Sequence, residues 1–129
     1  MSRIETGHVN DAFYSPKLRS DLAAHAEPYA ATASTGGTAI DSSGNIYVSD
    51  TDRRAIQKVS PDGTVHTLIQ DVRLSWVDAM WIDMYGRLWM PAAQLNKGIP
   101  FNNGTDGIVK PIHVFSMDLG IMPSPIDHA

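Results

Sequence analysis

Cysteine is absent from the 129 residues, which excludes disulfides, thiolate zinc sites and cysteine nucleophiles and leaves the redox compartment open. Basic residues are few. Ten Lys and Arg against fourteen Asp and Glu give a net charge of -4, with no basic block of the kind that grips phosphates, so nucleic acid is not expected as a partner. No run approaches the ~18 apolar residues of a membrane span, and residues 1–13 lack the apolar core of a signal peptide. No membrane partner is therefore read from the chain, and its compartment stays undefined. The histidines (His8, His25, His66, His113, His128) show no pair at metal-ligand spacing and no Ser-His-Asp order around a nucleophile elbow, which argues against a triad hydrolase. What remains is 43% hydrophobic and 19% charged, the balance of a globular domain.

An internal repeat organises the chain. The segment from Gly37 to Ser49, with Asp41, Gly44 and Tyr47, lies over Ala79 to Pro91, with Asp83, Gly86 and Trp89, without a gap and at a constant offset of 42 (Asp41 to Asp83, Gly44 to Gly86). Each copy reads as a short apolar strand ending in Asp, a turn with Gly at its positive-φ position, and a second strand with a central aromatic. A period of this length suits a four-stranded propeller blade, typically ~40–45 residues, better than the ~33–34 of ankyrin or tetratricopeptide repeats. The expected fold class is all-β: two consecutive four-stranded antiparallel blades of a β-propeller, part of a six-bladed ring, behind a short N-terminal helical connector.

The first copy supplies strands at about 37–41, 45–50, 55–60 and 64–69, with a Pro61-Asp-Gly63 turn before the last. The second supplies 79–83, 87–91 and 112–116, interrupted by a long insertion, and Pro123 and Pro125 discourage a fourth strand. The boundaries expected are a connector at 1–36 with a helix over 17–29, a complete blade at 37–73, a last, three-stranded blade at 74–120 with the insertion at 92–111, and a tail at 121–129. Two blades cannot cover one another's outer faces. The chain is therefore expected to be part of a larger ring, completed by self-association, three copies making six blades, or by a complementary chain.

The run Leu74-Ser-Trp76-Val-Asp78-Ala-Met80-Trp-Ile-Asp83-Met-Tyr-Gly86-Arg-Leu-Trp89, followed by Gln94-Leu-Asn96 and Phe101-Asn102, resembles the C-terminal part of the major royal jelly and yellow protein family. Gly44-Asn-Ile-Tyr47, Asp50, Ala55-Ile56 and Pro61-Asp-Gly63 extend the resemblance over roughly 18–115. It implies a six-bladed propeller of which this is the last third, in a family that is often secreted and includes proteins of dopachrome conversion, binders of biogenic amines and nutritive proteins. A more distant resemblance is to the gluconolactonase and senescence marker protein family, which implies a divalent metal at the channel mouth. The Pro-Asp-Gly turn that supplies an Asp ligand there is reduced to Trp76-Val-Asp78-Ala79 here.

Asp78 precedes an innermost strand, which would aim its carboxylate at the channel toward a ligand amine or a hard cation; the alternative is an Asp that caps backbone N–H groups in a turn. Asn96, Phe101 and Asn102 lie in the 92–111 insertion and combine amide hydrogen bonding with an aromatic face, suiting a small aromatic or amine ligand. The alternative is a loop that plugs the channel end, with Phe101 as its apolar anchor. No cofactor is expected, and a calcium or zinc ion on Asp78 is the lactonase alternative. Trp76, Trp81, Trp89 and Tyr47 read as packing between blades. Three functions are weighed: a ligand-binding or isomerase-like propeller, a structural or interaction module without small-molecule activity, and a metal-dependent lactonase. No catalytic residue is assigned.

Overall fold

The computed structural model describes residues 1–126; His128 and the rest of the 127–129 tail lie outside the described residues. The chain forms two compact units, the first spanning Met1–Ala31 and the second beginning at Thr32.

In the first unit, β1 (Ser2–Arg3) pairs antiparallel with β2 (Glu27–Pro28) around two short helices, α1 (Thr6–Tyr14) and α2 (Pro16–Asp21), and a 3-10 turn at Leu22–His25. The expected single helix over 17–29 is thus replaced by an earlier helix and a shorter later one. Within 17–29 the α-helix ends at Asp21, the 3-10 turn follows, and Ala26 is already extended ahead of Glu27–Pro28, where proline disfavours helix in the residue before it. Ser15 and Pro16 divide α1 from α2, the Ser15 hydroxyl accepting from Leu18 N at 3.4 Å as an N-cap and Pro16 sitting in the first turn. Arg19 donates to the carbonyls of Ala12 and Phe13 and so closes the end of α1. Ala12 is the buried apolar side chain of this unit.

The second unit is antiparallel β-sheet. β3 (Thr38–Ile40), β4 (Ile46–Asp50), β5 (Ala55–Val59) and β6 (Val65–Gln70) follow one another in a four-stranded sheet with a bulge at Ile56/Gln57, and β7 (Trp81–Ile82), β8 (Arg87–Pro91) and β9 (Val114–Asp118) form a three-stranded one. The two turns of the repeat are built alike. Asp41 accepts from Ser43 N and Asn45 N ahead of β4, and Asp83 accepts from Tyr85 N and Arg87 N ahead of β8, with Gly44 and Gly86 at φ 78° and 75°. Carboxylate and glycine together let the chain reverse in four residues, which is why both recur at the same offset.

The sheets pack through one face each. Tyr47 and Ile56 of the first sheet meet Ile82, Leu88 and Met90 of the second, and Leu74, Val77 and Met80 of the link fill the space between. Burying each such side chain is worth ~1.5–3 kcal/mol. Trp89 stands where the repeat puts Tyr47, yet Tyr47 is 2% exposed while Trp89 is 37% and Trp81 47% exposed. The expectation that these aromatics pack between sheets is met by Tyr47 but not by Trp81 and Trp89, whose face has no third sheet against it among the described residues. The strand order runs out at β9, and Val114, Ser116 and Asp118 point to that same exposed face.

The tail returns to the first sheet. Leu119 N donates to Gly86 O in the turn of the second sheet, whereas Ser42 N donates to Met122 O and Ser124 N to Ile40 O, so 122–124 lies beside the end of β3. Pro123 and Pro125 carry no N–H, which limits this pairing to an isolated bridge between Asp41 and Pro123.

Candidate functional site

The beginnings of β3 and β7 approach each other at the other end of β3. Gly36 and Asp78 pair in a parallel bridge, and the contact is so close that a Cβ on Gly36 would stand 2.5 Å from Val77 O and one on Gly37 2.6 Å from Ala79 N. Two glycines are needed to bring the backbones together. Ser49 fixes them from behind: its buried Oγ accepts from Gly36 N at 2.9 Å and from Gly37 N at 3.1 Å.

Opposite them, 75–78 runs antiparallel beside 91–94. Asp78 N donates to Pro91 O, Ala93 N to Trp76 O and Gln94 N to Ser75 O. Trp76, Ala79 and Gln94 all adopt left-handed backbone, at φ 53°, 46° and 55°. Such conformations cost non-glycine residues on the order of 1–3 kcal/mol each and persist where the surroundings over-determine them, as they do around sites. Asp78 therefore sits between two strained residues at the seam of the two sheets.

The four candidate residues do not converge as a single cluster. Asp78 is half-buried, and its carboxylate accepts from Ala79 N at 2.8 Å while forming no ion pair among the described residues. Phe101 is 69% exposed and stacks on Trp76 with ring centroids 6.4 Å apart at 23°. Asn96 receives the Ser75 hydroxyl at 3.5 Å. Asn102 turns into its own loop, donating to Thr105 O at 3.0 Å, so its amide shapes the insertion. The link among the others runs through 75–78: Ser75 holds Asn96, Trp76 carries Phe101, and the Trp76 Nε1 lies 3.5 Å from the Cβ position of Gly36, the residue that bridges Asp78.

Sequence reasoning left out Ser75, Gln94 and Lys97. Gln94 is the keystone of the insertion: its amide donates to Val109 O at 2.9 Å, and its carbonyl accepts from Val109 N at 3.1 Å and from the Lys97 ammonium at 3.0 Å. A buried amide is satisfied only by such a network, and nothing in local spacing signals a partner fifteen residues away. The Gly36-Gly37 pair was the available signal for the seam, and it reads as a helix breaker until Val77 and Ala79 are placed against it.

A divalent cation needs several hard oxygen donors. Among the described residues no three His, Asp or Glu side chains gather as a metal-holding group, so Asp78 has no such set around it and no chemistry is derived through a metal. Comparison with models of known protein families and with curated proteins matched nothing.

Proposed function

We propose that this chain supplies two adjoining blades of a six-bladed β-propeller of the royal jelly and yellow type, and that it binds a small aromatic amine at the seam beside Asp78. The observation that carries the reading is the seam itself. Two sheets related by the 42-residue repeat approach where their first strands begin, at the parallel bridge of Gly36 and Asp78, as blades around a channel do, and the half-buried Asp78 carboxylate forms no ion pair among the described residues. A ligand ammonium would supply a charge partner for Asp78, and the nearby Trp76 ring, on which Phe101 stacks, an aromatic face. The reading is one of binding. Among the described residues the Asp78 carboxylate accepts one hydrogen bond, from the Ala79 backbone N–H, and no proton relay is built onto it.

The partly exposed face that carries Trp81 and Trp89 supports a second reading, an interaction module that recruits further sheets without a small ligand. Titrating tyramine into the purified chain, with its solution mass measured in parallel, separates the two. Saturable binding that falls ~10–100-fold in Asp78→Asn, the loss of one charge-assisted pair, is the expected result. Tyramine that fails to bind, or binds Asp78→Asn equally well, leaves the interaction module standing.

A further inference from the structure

A separate, open recess of about 410 Å³ is bordered by 72–75, the loop 94–109 and the start of β9, among Val72, Arg73, Ser75, Gln94, Lys97, Val109, His113 and Phe115. This volume falls in the ~300–1,000 Å³ range of small-molecule sites. Val72, Val109 and Phe115 give it apolar walls. Its charged groups are all of one kind, and they are not equivalent. Arg73 is spent: it forms a two-point pair with the Asp71 carboxylate, at 2.9 and 2.6 Å, and lies over the Phe115 ring at 5.6 Å. Its guanidinium thus makes a flat, neutralised side of the recess. Lys97 is different. Its ammonium is held by the neutral carbonyl of Gln94 at 3.0 Å and pairs with no carboxylate among the described residues.

Gln94 holds this lysine in place deliberately in the physical sense: the buried amide is locked to both polar groups of Val109, and its own backbone is left-handed. A long, flexible side chain pinned in this way has already lost much of its rotamer entropy, and so binds a partner at lower cost. We infer that this recess is a binding site for a small carboxylate with an apolar body, its carboxylate on the Lys97 ammonium and its hydrocarbon or aromatic part against Val72, Val109 and Phe115. The site is separate from the amine site at Asp78 in residues and in charge, and it uses side chains of this chain alone.

Benzoate is the direct probe, followed by NMR shifts of the full chain, with benzyl alcohol as the neutral analogue. Saturable benzoate shifts confined to residues of the recess are expected, weakened ~10-fold in Lys97→Met and retained in Lys97→Arg, as the removal of one charge-assisted contact requires. Benzyl alcohol should bind ~10-fold more weakly than benzoate, and Asp78→Asn should leave the benzoate titration unchanged. Equal binding of benzoate to Lys97→Met, equal binding of the alcohol, or no benzoate binding at millimolar concentration each overturns the site. Failure of tyramine alone touches only the amine reading.

Discussion

At the residue scale, the same aspartate does two different amounts of work in the two repeats. Asp41 is buried and its carboxylate accepts four hydrogen bonds, from Ser43 N, Asn45 N, Asn45 Nδ2 and the Tyr47 hydroxyl at 2.8–3.0 Å. Burial alone would raise its pKa; the bonds from Asn45, Tyr47 and Ser43 outweigh it and hold the carboxyl below its ordinary value. Burial, together with Asp41, pushes the Tyr47 phenol well above its usual range. A depressed carboxyl contributes stability that is complete above the unfolded-state pKa and is lost as pH falls through the lower folded value. Asp41→Asn is therefore expected to cost about 2 kcal/mol at neutral pH and to flatten the acid limb of a urea-unfolding series below about pH 4, where the unfolded-state carboxyl takes up its proton while the folded one resists. An unchanged acid limb would place the stabilisation elsewhere. Asp83 makes the matching bonds, with the Trp89 indole in place of the phenol, and its pKa is lowered in the same sense. It stands at the open face, where solvent shares the load.

At the scale of elements, the seam rests on backbone approach more than on side chains. Gly36→Ala or Gly37→Ala would set a methyl 2.5–2.6 Å from backbone atoms of 77–79, which cannot retreat without disturbing the strained Trp76 and Ala79. Each is expected to destabilise by roughly 1–3 kcal/mol in denaturant melts, as overpacking does. Gly7 is the contrast. It lies inside α1 with nothing within 4 Å of its Cβ position, so Gly7→Ala should be neutral or stabilising by up to ~1 kcal/mol. Elements of the β unit were legible because hairpin turns are local: Asp41 to Gly44, Pro61 to Gly63 and Asp83 to Gly86 announce themselves in a few residues. The helices were less so, since the apolar spacing of Leu18, Leu22 and Ala26 continues past Asp21, where α2 gives way to a 3-10 turn and then to extended chain. The site was legible in its parts and not in its assembly. Asp78 and Phe101 are conspicuous residue types, whereas Gln94 and Ser49 act through partners that only the fold brings near, and Asn102 proves to serve its own loop.

At the scale of the whole molecule, the repeat makes a specific claim about what is bare. Tyr47 and Ile56 are covered by Ile82, Leu88 and Met90, so the face of the second sheet that corresponds to Tyr47 should accept a sheet face of the same kind. That face carries the half-exposed Trp89 and Val114, at 37% and 55%, and its outermost strand β9 presents one edge without a neighbouring strand. An apolar face joined to an open edge favours association, and natural sheets suppress it with lysines on the edge strand. Light scattering of the purified chain is therefore expected to give a mass above 14.1 kDa, and Val114→Lys with Ser116→Lys, both on the solvent side of β9, should shift the mass toward the monomer while leaving the far-ultraviolet spectrum unchanged. The outcome bears on the chemistry as well as on the assembly, because a channel exists only where the ring closes. A discrete assembly that these lysines dissolve, together with its tyramine binding, would tie the Asp78 site to closure; tyramine binding that survives in the lysine variant would show that the seam of two sheets suffices; and a wild-type chain already monomeric would overturn the expectation that the exposed face of the second sheet drives association.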